Sequence, residues 1–367
     1  MPEHTVLDER EKARLTWWEN RYVSELGQVL LCAAVGFFVV GIIVILDGHN
    51  PFHVLTVAFR GAVLNWIGIV QSLAVMSSLL LAALAFAISM RCGLFNIGGE
   101  GTLIIGAATA VAAGGLISAP PMIHHMIVIV AAMAGGILWS IPVALLKVSR
   151  NVHEVVSTIM ANFVALYFVQ YLVVGPLRDT QAGSLHIAVK VAETARFSVI
   201  SISLTSVIYV AILTAVLVYF ILWHTKQGMH MRATGFETFA ARYSGVSVSR
   251  MMVYSFALSG AVAALAGMAL TAGLPPQWTI GERLAELRGI GFLGIAVAML
   301  GRNHPIACIA AAFFIATIKS SKVSLQMIGV SPEITNLLIG IIVIAFAVPE
   351  IFQFTMRKLD NFRRTRA

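Results

Sequence analysis

The chain has 367 residues, 59% of them hydrophobic and only 11% charged, with a formal net charge of +8. Soluble domains are about a quarter charged, so this composition places most of the chain in a membrane and excludes an ordinary soluble enzyme. Cys32, Cys92 and Cys308 lie far apart with no CxxC or Cys/His spacing, so neither a disulfide framework nor a zinc site is indicated.

Residues 1–25 are polar and carry Trp17, Trp18 and Tyr22 just before the first apolar run. They read as a cytoplasmic tail ending in an interfacial aromatic anchor, not as a signal peptide. Leu26–Leu46 is the first predicted span; its 21 residues reach about 31 Å as a helix. Asp47–Pro51 breaks it, and Phe52–Trp66, with Arg60 and Asn65 among apolar residues, is expected to lie in the interface or to pack over the bundle. Further spans are predicted over Gly68–Met90, Thr102–Ser118, Met122–Leu146 and Val155–Val174. Residues 177–197 read as a loop, Val199–Trp223 as the sixth span and 224–250 as the longest central hydrophilic segment. Met251–Ala272 is the seventh, Arg288–Leu300 and Pro305–Ile318 are two short segments, and Thr335–Phe354 is the last before a basic tail.

This gives an all-α polytopic membrane protein of about ten segments, some short or broken, with both termini on one side. Its divisions are a tail over 1–25, a transmembrane domain over 26–354 and a basic tail over 355–367. Placing both termini in the cytoplasm puts 17 of the 25 lysines and arginines inside, which the positive-inside rule favours. The net charge is then topological, and a nucleic-acid partner needs no separate case.

No Gly-x4-Gly-Lys-Ser/Thr phosphate loop occurs, His153-Glu154 does not extend to His-Glu-x-x-His, and no Gly-x-Ser-x-Gly elbow is present. No catalytic residue, cofactor or metal is therefore expected, and His124-His125 read as loop residues beside a proline turn. The residues that demand explanation run from Arg91 to Ala107, where Asn96, Glu100 and five glycines stand between apolar spans. Charged groups at membrane depth are costly and usually face a bundle interior or a watery pathway, and glycines permit broken helix beside a cavity. Asn96 and Glu100 are candidate pathway residues. In the fifth span Glu154, Thr158 and Asn162 recur at i, i+4 steps and make a second polar stripe, which interhelical hydrogen bonding explains almost as well.

Between Gly235 and Gly245, Phe236, Phe239, Ala240 and Tyr243 fall at i, i+3, i+4 and i+7 on one face of a possible short helix, with Ala241 beside them. Such a helix suits either a groove on a partner or the lipid surface. Ser259–Gly267 repeats small residues at i, i+4 and reads as a packing seam.

Gly93-Leu-Phe-Asn-Ile-Gly-Gly-Glu-Gly101, His153-Glu-Val-Val-Ser-Thr-Ile-Met160, the Gly235–Gly267 run and Gly289-Ile-Gly-Phe-Leu-Gly through Pro305 together resemble one family. They are similar to permease subunits of bacterial ABC importers of the branched-chain amino acid/ribose-type group, in its nucleoside or simple-sugar branch. The resemblance covers roughly residues 65–350. It departs at Thr102, where Gln is more frequent, at Leu293, where Asp is, and at His153, where Asn is. The resemblance implies a homo- or heterodimeric permease in the bacterial inner membrane, a cytoplasmic ATPase pair and an extracytoplasmic binding protein. It also implies that the 235–245 segment engages the ATPase. A competing expectation is an ion- or proton-coupled secondary transporter, for which Glu100 and Glu154 are the candidate coupling sites.

Overall fold

The computed structural model describes residues 38–341, apart from 181, 182, 184, 185, 276, 277, 332, 334, 335, 338 and 339. The N-terminal tail, most of the first and last predicted spans and the basic C-terminal tail lie outside the described residues. The chain divides into two units, residues 1–58 with 322–367 and residues 59–321. In the first, α1 (described over Phe38–Leu46) ends at Asp47–Asn50, α2 (Pro51–Phe59) begins at a proline suited to a first helical turn, and α13 spans Lys322–Met327.

All candidate functional residues lie in the second unit. After a π-helical turn at Arg60–Leu64, Asn65 caps α3 (Trp66–Arg91) by accepting the Ile67 amide hydrogen at 3.2 Å. Then come α4 (Gly99–Leu116), α5 (Pro121–Arg150) and α6 (Glu154–Val174). A two-stranded hairpin, β1 (Val199–Ser201) with β2 (Leu204–Thr205), precedes α7 (Val207–His224). The shorter α8 (Lys226–Phe236) and α9 (Thr238–Tyr243) lead into α10 (Val248–Thr271), α11 (Ile290–Leu300) and α12 (Pro305–Ser320).

Burial sorts these apolar helices into an inner and an outer set. Helices α3, α4 and α10 are mostly buried, whereas α5, α6 and α7 expose much of their apolar surface. The centre is held by small residues. Ala264 of α10 packs on Gly106 of α4 and Gly136 of α5, Gly260 on Ser140, and Gly267 on the Leu103 backbone. Lipid tails are as apolar as leucine, so close backbone approach and its dispersion contacts drive such association. The seam expected over Ser259–Gly267 is therefore the middle of the bundle.

Contacts between loops sort the bundle into two ends. At one, Arg91 reaches the turn after α11, and residues 91–93 touch Gly235 at the end of α8. At the other, His124 Nδ1 lies 2.8 Å from Thr194 Oγ1, the Ala192 amide donates to the Gly114 carbonyl and the Val191 amide to the Trp278 carbonyl. His124 and His125 belong to the first turns of α5 rather than to a loop, and His124 is buried.

One expectation is met in part and two change. Among the described residues, seven helices are long and apolar enough to cross a membrane, up to eight if the broken pair formed by Phe38–Leu46 and Pro51–Leu64 counts as one span. Ten is not reached there, in part because α11, with 11 residues, rises only about 16 Å. The sixth span starts at Val207 rather than Val199. Val199-Ile-Ser201, two of its three residues β-branched, pairs as a strand, Val199 opposite Thr205, and the chain turns tightly at Ile202 with φ 39°. Finally, residues 235–245 are not one helix. Glu237 is extended (φ −154°, ψ 109°), ends α8 and caps α9 by accepting the Phe239 amide hydrogen at 3.3 Å.

Candidate translocation core and docking segment

After Arg91 the chain does not leave the bundle. It folds back along α3, so that the Phe95 ring meets Phe86 edge-on at 5.2 Å and Asn96 Nδ2 donates to Ser89 Oγ at 3.3 Å. Gly93, at φ 76°, makes the reversal, a backbone region that costs glycine little. Asn96 Nδ2 also reaches Ser259 Oγ of α10 at 3.2 Å, and its Oδ1 accepts the Gly98 amide hydrogen at 2.9 Å. The glycine-rich stretch thus places the start of α4 inside the protein, where irregular backbone survives only if its groups are satisfied.

Glu100 stands in the first turn of α4 and is 6% exposed. Its Oε1 accepts the Gly289 amide hydrogen and its Oε2 accepts that of Gly291 at 2.7 Å. Gly289, at φ 82°, is the cap residue of α11 and lacks a side chain to satisfy that helix's first amides. One carboxylate therefore serves two converging helix N-termini, its own and that of α11. Each such terminus carries unpaired N–H groups and a partial positive charge.

Asn162 fixes the turn from the far side. Its Oδ1 accepts the Gly101 amide hydrogen at 2.8 Å and its Nδ2 donates to the Ile97 carbonyl at 3.0 Å. Thr158, one helical turn earlier, packs against Gly98 and donates its own hydroxyl to the Val155 carbonyl at 3.1 Å. Asn96, Glu100, Thr158 and Asn162 thus gather about Gly98–Gly101. Glu154 does not join them; it pairs with Lys147 Nζ at 2.7 Å and closes the α5–α6 turn. A void of about 10 Å³, room for about one water, lies between Asn96, Thr102, Ser259 and Gly291.

Two features of this core were not singled out from the sequence. Ser259 and Ser89 complete the Asn96 bonds, and the amides at Gly289 and Gly291 meet Glu100 across 189 and 191 positions. The one available cue was Gly-Ile-Gly opening a short apolar helix, which leaves its first amides in need of an acceptor. Arg91, at the start of the same stretch, donates from Nε to the Asn303 carbonyl at 2.8 Å and from a terminal nitrogen to the Arg302 carbonyl at 3.0 Å.

The other predicted set lies at the Arg91 end. Phe236 (93% exposed), Phe239 (72%) and Tyr243 (94%) face outward from α8 and α9, Ala240 is exposed beside them, and Ala241 is buried beneath. Gly245, at φ 80°, ends the segment. Gly235 packs its backbone on that of Arg91–Gly93 so closely that an added Cβ would overlap the Arg91 carbonyl. The exposed aromatic surface therefore sits one residue from backbone contact with the buried turn.

The fold and core define a polytopic membrane protein whose discontinuous helices meet at a polar turn in the bundle interior. Residues 68–347 match the family model described as branched-chain amino acid transport system/permease component, and the chain belongs to that family. It is 30% identical to the guanosine ABC transporter permease protein NupP of Bacillus subtilis over 92% of this chain and 98% of that one. It is 27% identical to the nucleoside ABC transporter permease protein NupB of Lactococcus lactis, over 92% of this chain and 95% of that one. A glucose ABC transporter permease protein of Haloferax volcanii, TsgB13, is 27% identical over 90% of this chain and 88% of that one.

Proposed function

We propose that this chain is the permease subunit of an ATP-binding-cassette importer, and that it forms the pathway for a nucleoside, nucleobase or simple sugar delivered by an extracytoplasmic binding protein. The observation that carries this reading is the backbone contact of Gly235 with residues 91–93, which joins an exposed aromatic surface to the turn inside the bundle. A cytoplasmic ATPase subunit docks on Phe236, Phe239, Ala240 and Tyr243, with Ala241 underneath and Gly235 and Gly245 at the ends. Its closure on ATP moves α8, and the turn, α4 and α11 follow as connected rigid pieces. The family membership supports this, as do the names of the relatives, two acting on nucleosides and one on glucose.

The chain contributes no chemistry, holds no cofactor and pairs with a second permease subunit in the bacterial inner membrane. About ten segments, some of them short or broken, leave both termini in the cytoplasm, and the end bearing Arg91, Lys147, Lys226, Arg232 and Arg302 is cytoplasmic by the positive-inside rule. Asn96, Glu100, Thr158 and Asn162 shape the pathway wall by holding the turn, and Glu154 stabilises the cytoplasmic end. A secondary transporter would need carboxylates open to an ion. Both Glu100 oxygens are occupied by α11 amides and Glu154 is paired with Lys147, which favours the ATP-driven reading.

The test is nucleoside uptake into proteoliposomes that contain the full complex. A hydrolysis-deficient ATPase should abolish uptake, and a protonophore should leave it unchanged. The opposite pattern would replace an importer with an ion-coupled carrier.

A further inference from the structure

Around the cytoplasmic-facing end of α7, side chains from α3 and α8 bring together charges that the docking surface does not use. The Trp223 indole lies beneath two guanidiniums, with the Arg91 carbon 5.1 Å and the Arg232 carbon 5.3 Å from the ring centroid. His304 closes the group, its ring 4.8 Å from Trp223 and 5.6 Å from Tyr219, which itself stacks on Trp223 at 5.5 Å. Arg91 spends two of its donors on the Arg302 and Asn303 carbonyls. Arg232 Nε is buried and has no hydrogen-bond partner. Among the described residues, no carboxylate pairs with either guanidinium. Burial first, and then the Arg91 charge, hold the His304 imidazole below its ordinary range, so the positive charge at neutral pH is that of the two arginines.

Two like charges on one indole repel each other, and the ring quadrupole offsets only part of that cost. Such a site is completed by an anion with several acceptor oxygens. Its position decides which. The outward face of α7 is a column of exposed apolar side chains (Tyr209, Leu213, Leu217 and Phe220) that ends at Trp223 and the exposed His224. Aromatic residues at that level mark the boundary between hydrocarbon and headgroups. Basic pockets between membrane helices on the cytoplasmic side suit anionic headgroups.

We propose that Arg91 and Arg232, over Trp223, form a binding site for the phosphate of an anionic phospholipid whose acyl chains lie along α7. The lipid neutralises the charge pair and ties the end of α8 to the turn after α11. This goes beyond the importer reading and does not depend on it.

The full-length chain, released into detergent with equimolar phosphatidylglycerol and phosphatidylcholine, should retain phosphatidylglycerol preferentially in native mass spectrometry. Arg232→Gln should weaken that preference about fivefold, near the effect of one basic residue at an anionic surface. Arg232→Lys should retain most of it, which separates loss of charge from loss of fold. Equal retention of the two lipids by the unaltered protein would overturn the proposal. So would an unchanged preference in Arg232→Gln, or displacement of the lipid by millimolar inorganic phosphate, which would reassign the site to a free anion.

Discussion

A carboxyl group in the membrane interior costs up to about 3 kcal/mol on insertion scales, and the surroundings of Glu100 offset that cost. The amides of Gly289 and Gly291 and the two converging helix ends do so. Removing the acceptor leaves those donors buried and unpaired, at about 1–3 kcal/mol each. Glu100→Ala should therefore lower the thermal unfolding midpoint of the purified protein markedly. Glu100→Gln, which keeps one acceptor oxygen, should lower it less. Equal midpoints for the alanine variant and the parent would remove Glu100 from its structural role. A glutamine variant that folds normally yet transports nothing would make it an ion-coupling site instead. Asn162 allows a sharper comparison, because it accepts at Gly101 and donates to Ile97. Asn162→Asp keeps the acceptor, loses the donor and adds a charge facing the Ile97 carbonyl. It should destabilise at least as much as Asn162→Ala, about 1–3 kcal/mol, when unfolding is followed in detergent.

At the scale of elements, the central relation is between α8 and the turn that follows α3. Gly235 lies against the Arg91–Gly93 backbone with no room for a Cβ, so Gly235→Ala forces α8 and the turn apart. The expected result is a severalfold drop in uptake with ordinary membrane insertion and ordinary nucleotide hydrolysis by the isolated ATPase. Uptake at the parental rate would mean that α8 does not transmit through this contact. The elements themselves were unevenly legible. Long apolar runs gave α3, α5, α6 and α10 nearly to their ends, because about 20 apolar residues leave a membrane segment few alternatives. The Val199–Thr205 hairpin was misassigned to a helix, since an apolar run of that length does not distinguish strand from helix. Its β-branched residues were the cue. The periodicity of Phe236, Phe239 and Tyr243 marks side chains that are exposed but joins two helices into one, because the extended Glu237 leaves no trace in an apolar pattern.

For the whole molecule, polarity within apolar sequence was the most informative signal, and distance along the chain the chief obstacle. Asn96, Glu100, Thr158 and Asn162 stood out as unsuited to lipid, and the fold gathers all four about one turn. Glu154 carried the same signal and lies apart, because a helix stripe does not tell which neighbour each of its turns will meet. That Glu100 meets the amides of α11 could not be read from spacing across some 190 residues; only the Gly-Ile-Gly start of a helix too short to span hinted at an unsatisfied end. The same discontinuity supports transport, since two buried helix ends joined by one carboxylate can shift as units where continuous spans cannot.

The central claim is that drive enters through the exposed aromatics of α8 and α9. The most direct measurement is ATP-dependent nucleoside uptake by the reconstituted complex with Phe236→Ala and Tyr243→Ala combined, alongside co-purification of the ATPase. Both side chains are almost fully exposed, so the substitutions should leave the permease folded. The account predicts loss of ATPase co-purification and at least a tenfold fall in uptake, as expected when two aromatic anchors leave an interface. Uptake and co-purification at parental levels would contradict it.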